Sequence, residues 1–156
     1  MIPASSVISS SVDFLISGAF LVVLMIWYRF APSPNVIFLP VFVLLSFIAS
    51  FSAGLWIAAL MVKYRDFRFI VPFIVQFGLY ISPVGFLSTV VPERWRLIYF
   101  LNPMAGVIDG FRWSILGGEN ALYIPGLVLS CSVTLVLTIG AIWYFRSTER
   151  EFADVI

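Results

Sequence analysis

Charged side chains are absent from four long stretches of the chain: Phe14 to Tyr28, Val36 to Val62, Phe69 to Val91 and Ala121 to Phe145. An α-helix needs roughly 20 apolar residues to cross a hydrocarbon core of ~30 Å. The last three stretches are long enough as they stand. The first becomes so by starting in the uncharged run Val7 to Ser11, upstream of Asp13. The pattern predicts an all-α membrane protein with four transmembrane helices, over about 8–29, 36–62, 69–91 and 121–145.

Between the third and fourth of these lies a segment of a different kind, about 92–118. It is too apolar for a solvent loop and too broken for a span. Pro92 followed by Glu93 is a helix start, because proline suits the first turn and a carboxylate favours the positive end of the helix dipole. That helix runs through Trp95 and Tyr99 to Leu101. Asn102 then caps a second helix with Pro103 at its first position, and Gly117-Gly118 closes it. At 1.5 Å per residue the two pieces measure only about 14 and 21 Å, so neither crosses alone. Two readings stand: a hairpin that dips into the outer leaflet and returns, its ends covered by protein or water, and a helix pair lying flat among the headgroups. The apolar run from Met104 to Phe111 favours the re-entrant hairpin.

Composition then names the solvent. Of 156 residues 62% are hydrophobic and only 11% charged, less than half of the roughly 25% usual in soluble domains. The net charge of +1 leaves no nucleic-acid footprint. The single cysteine, Cys131, excludes an intrachain disulfide. The absence of histidine removes the commonest general base and most zinc sites. No glycine-rich phosphate loop occurs, so the chain is not expected to hydrolyse ATP itself; with no histidine and no base and nucleophile that converge, neither an enzyme nor a metal site is expected.

Basic residues orient the spans. Lys63, Arg65 and Arg68, with Asp66 among them, crowd the turn between the second and third spans, and Arg146 and Arg150 follow the fourth. An even number of spans places these five on one side, read as cytoplasmic together with both termini. Arg29, Arg94, Arg96 and Arg112 fall on the other.

Three features are candidates for chemistry. Phe69, Phe73, Phe77 and Tyr80 fall within about 80° of arc at 100° per residue, one aromatic stripe with Gln76 nearby. Gly78, Pro83 and Gly85 bend or loosen that helix. The stripe either packs on neighbouring helices or lipid, or lines a path whose weak contacts let sugar faces slide. Asp109 and Arg112 are three residues apart, on one helix face; they either neutralise each other inside the hairpin or line an exit. Asp13 lies in the first turns of the first helix, where the dipole favours it, if that helix begins near Ser9, and about 9 Å inside it, needing a partner or water, if it begins near Val7 or earlier; the first is the expectation.

The run from Val62 to Phe86 resembles the corresponding segment of ABC-2 type export permeases. So do Val91 to Arg96, Leu101 to Gly117 and the tail from Phe145 to Ile156. The resemblance points to the branch that exports lipid-linked O-antigen, capsule or teichoic-acid chains. It implies a multi-pass permease of the bacterial inner membrane, forming one domain over 1–156 and acting as a homodimer. Separate cytoplasmic ABC ATPase subunits would carry ATP and Mg, and no cofactor would sit on this chain. It further implies an outer gate of short helices. Phe69 to Tyr80 and the gate segment, with Trp95, Tyr99, Asn102, Pro103, Asp109, Arg112 and Trp113, would border the path. The turn Lys63, Arg65, Asp66 and Arg68 would face the ATPase. Members have six spans, and this chain resembles the later four plus the hairpin. The expectation is therefore a fragment, an internal start or a disrupted gene. A permease for a drug or simple lipid, and a non-transporting scaffold, are the alternatives.

Overall fold

The computed structural model describes residues 2–64, 66–117 and 122–153, with side chains described over 12–64, 66–117 and 122–147. Arg65 and Gly118, and the side chain of Arg150, lie outside the described residues. Six α-helices and two 3₁₀ turns, and no strand, occur among the described residues. They are α1 (Ile2–Trp27), a 3₁₀ turn (Pro34–Phe38), α2 (Leu39–Lys63), α3 (Phe67–Ile81), a 3₁₀ turn (Ser88–Val90), α4 (Glu93–Tyr99), α5 (Pro103–Leu116) and α6 (Ile124–Ala153). The segments Pro34–Lys63 and Ile124–Ser147 are long and apolar enough to cross a membrane. Val12–Trp27 and Phe67–Ile81 are shorter apolar helices.

The core is a seam between α2 and α6, which lie side by side and parallel. Ser52 and Thr138 are hydrogen-bonded at 2.6 Å, and one turn further along Trp56 donates its indole N–H to the Leu137 carbonyl and stacks on Tyr144. Small side chains make the approach possible: Ala49, Ser52 and Ala59 on α2 and Ser130, Thr134 and Ala141 on α6 are buried. In lipid, close backbone packing of this kind stands in for a hydrophobic driving force. Ser52, Ser130, Thr134 and Thr138 do not leave polar atoms stranded there, because each hydroxyl has a carbonyl or a partner hydroxyl within hydrogen-bonding distance. Large apolar side chains point outward instead, among them Leu15, Phe20, Leu44, Val75, Leu135 and Trp143. A soluble domain has the reverse arrangement.

Two expectations are corrected. The third apolar stretch is not one helix over 69–91, since α3 ends at Ile81 and its fifteen residues span only about 22 Å. Pro83 is the cause: the residue before a proline is driven out of the helical region, and Ser82 is extended at φ −81° and ψ 145°. Nor does Asp13 sit in the first turns of its helix. No proline interrupts α1 between Pro3 and Trp27, and the helix is already formed at Ile2, the first described residue, so Asp13 falls eleven residues on, about 16 Å along the axis. Its carboxylate is exposed, while its neighbour Phe14 packs against Phe47 and Phe111.

Candidate functional site

The two short helices pack at one end of the α2–α6 pair. The second of them, α5, has the bounds its caps dictate. The Asn102 side chain accepts from the Met104 N–H at 3.0 Å, Pro103 takes the first position, and Gly117 ends the helix at φ +76°, a conformation costly for other residues. Glycines seat it against its neighbours. A Cβ on Gly106 would fall 2.6 Å from Ser130 Cβ, and one on Gly110 would fall 2.1 Å from the Phe42 ring. Further along, Gly117 abuts Ser33, whose N–H donates to the Ile115 carbonyl. Ala105, Gly106, Val107, Gly110 and Ser114 are accordingly buried.

The turn between α4 and α5 reaches past the start of α6. Ser130, six residues or about 9 Å into that helix, donates to the carbonyl of Phe100 at 2.8 Å and reaches that of Asn102 at 3.3 Å. Phe100, 1% exposed, packs on Tyr123. From there α5 passes Phe42 and ends beside Ser33. Phe42 and Lys63 are 21 residues apart on α2, about 32 Å. The hairpin and the basic turn therefore occupy opposite ends of the bundle.

Four hairpin side chains grip the segment that follows α3. Tyr99 donates its hydroxyl to the Ile81 carbonyl at 2.7 Å, and Asn102 donates its amide to Ser82 Oγ at 3.0 Å. Arg112 donates to the carbonyls of Phe86 at 2.6 Å and Val84 at 2.9 Å, and Ser88 donates to the Asp109 carboxylate. Ser82, Pro83 and Ser88 are buried beneath this clasp. Asp109 and Arg112 do pair, at a loose 4.0 Å. Burial pushes the Asp109 carboxyl above its ordinary range, opposed by the Ser88 hydrogen bond and by Arg112 and Arg96. Arg96 lies over the Tyr123 ring at 4.5 Å. Ser88, Thr89, Arg96, Asp109 and Arg112 line a cavity of about 20 Å³, room for a single water.

The other sequence candidates are less tightly placed. Trp113 packs on Phe38, whereas Trp95 is exposed beside Arg94. Phe69, Phe73, Phe77 and Tyr80 are not brought to the hairpin. They line the outer face of α3, which buries none of its residues. At the opposite end, exposed Lys63 closes α2, Asp66 precedes α3 without capping it through its side chain, and the Arg68 guanidinium lies 4.8 Å over the Phe69 ring. Sequence reasoning missed Ser82, Ser88 and Ser130. It also missed the Gly106-x-x-x-Gly110 spacing, the small-residue pattern of close helix packing, which would have identified the buried face of α5.

An all-helical bundle whose large apolar side chains face outward is the arrangement of a membrane-embedded protein, and the sequence gives its family. The chain belongs to the ABC-2 type transporter family, whose sequence model matches residues 1–116. It is similar to the O-antigen export system permease protein RfbA of Myxococcus xanthus, 28% identical over the whole chain and 60% of that relative. It is likewise similar to a protein of the same description from Klebsiella pneumoniae, 25% identical over the same shares. The chain thus spans about 60% of the length of these relatives. Members of this family are transport subunits rather than enzymes, and the O-antigen permeases are homologues of this chain.

Proposed function

We propose that this chain is the membrane subunit of a bacterial inner-membrane exporter that passes lipid-linked polysaccharide outward. In this reading α1, α2, α3 with the segment after it, and α6 are four spans with both termini cytoplasmic. The hairpin of α4 and α5 re-enters from the outer side. Support for re-entry comes from the α4–α5 turn lying about 9 Å along α6 from that helix's first residue. The basic turn at Lys63 and Arg68 faces a separate ABC ATPase, which binds ATP and Mg, and two permease copies enclose the path.

The observation that carries this reading is the aromatic stripe. Phe69, Phe73, Phe77 and Tyr80 are each between 62% and 72% exposed on one helix, touching no core of their own chain. Aromatic faces bind the C–H faces of sugars weakly and repeatedly, which permits sliding; a few tight sites would stall a long polymer. Replacing Phe73, Phe77 and Tyr80 together by alanine is expected to cut surface glycan several-fold while permease dimers still form. Immunoblots of surface polysaccharide, alongside cross-linking of the permease, read both quantities. Undiminished glycan would show that the stripe only meets lipid or packs between subunits.

A further inference from the structure

The hairpin reads at first as a flap, two short helices free to open and close. Its contacts contradict this for α5. At Gly106 and Gly110 the helix lies so close to Ser130 and Phe42 that a single added carbon would clash. Packed surfaces of this kind do not slide gradually. By contrast α3 buries none of its fifteen residues. What joins the two is polar. Ser82, Pro83 and Ser88 are buried directly after α3, and hairpin side chains bond successive points from Ile81 to Ser88.

We propose that Tyr99, Asn102, Asp109 and Arg112 are positioning residues that pin the outer end of α3, and with it the aromatic stripe, to a rigid block of α2, α5 and α6. The α5 limb is then a fixed post for the path rather than its moving gate. The charged pair supplies this hold because one guanidinium satisfies two carbonyls that the break at Pro83 leaves outside any helix, while Asp109 holds the Ser88 hydroxyl two residues further on. At membrane depth those backbone groups have few other partners. The proposal goes beyond the export reading and holds whatever the cargo.

Spin-label pairs in the full chain, with Cys131 replaced by serine, test it. Leu79 on α3 and Ile124 on α6 report the pinned end, and Ile37 with Ile124 reports the block; all three positions are exposed. The unaltered clasp should give one narrow Leu79–Ile124 distance peak. Arg112→Gln should lose that peak, and so should Ser88→Ala, which leaves α5 untouched. Asp109→Asn should keep it, since the amide oxygen still accepts from Ser88. The Ile37–Ile124 peak should stay narrow in all three. A Leu79–Ile124 peak that survives both Arg112→Gln and Ser88→Ala would overturn the proposal. So would an Ile37–Ile124 peak that broadens with it, because the clasp would then be holding the bundle together and not α3.

Discussion

Gly110→Val should remove most of the folded permease from the membrane. A Cβ at that position falls 2.1 to 2.6 Å from three atoms of the Phe42 ring, and that ring is itself 5% exposed with nowhere to turn. Overpacking a close-fitted core costs typically 1–3 kcal/mol, and three added carbons against a rigid ring place this change near ~3 kcal/mol or above. Leaving glycine gains only about 0.5 kcal/mol of helix propensity, which does not offset it. Phe42→Ala alone leaves a cavity and should cost about 3 kcal/mol as well. The two together should cost less than their sum, because each relieves the other's defect, and a double-mutant cycle on detergent-solubilised protein measures that coupling. Strictly additive losses would mean that α5 does not rest on α2 at this point.

Arg112→Met is expected to destabilise nearly as much, for an electrostatic reason. The substitution strips donors from the carbonyls of Val84 and Phe86 and removes the loose counter-charge beside Asp109, whose carboxylate still accepts from Ser88. Hydrogen bonds from a charged donor contribute about 1.5–3 kcal/mol each. The ion pair itself adds little, being 4.0 Å long and partly solvated. Two such bonds, both exposed, place the loss near the low end of their sum, about 3 kcal/mol, read as faster amide exchange of the segment after α3. Arg112→Lys should fall between, since a single ammonium lacks the guanidinium fork that spans two carbonyls. Asp109→Asn should cost far less than either, because burial already disfavours the ionised carboxylate and the amide retains an acceptor.

Local features of this fold were readable from the residues; contacts between distant residues were not. Asn102-Pro103 and Gly117 mark both ends of α5 because capping is a property of a few adjacent residues. The Asp109–Arg112 pair was readable for the same reason, being one helical turn apart. The partners that give the pair its use, Ser88 and the carbonyls of Val84 and Phe86, lie 21 to 28 residues away, and no periodicity reveals them. Hydropathy overran the end of α3 because Ser82 to Val91 stays apolar after its backbone leaves the helix. The Ser82-Pro83 step was the signal to weigh more heavily. Asp13 left two helix starts open because the serines from Ser5 to Ser11 can either cap a helix or lie within one, and the structure runs the helix through them.

The account rests on the hairpin and the basic turn facing opposite sides of the bilayer. Single cysteines introduced by Arg94→Cys on α4 and Arg68→Cys on α3, in a Cys131→Ser background, settle the point; both positions are exposed. A membrane-impermeant maleimide should label Arg94→Cys in intact cells, and Arg68→Cys only after the membrane is opened. Labelling of both from the same side would contradict the account.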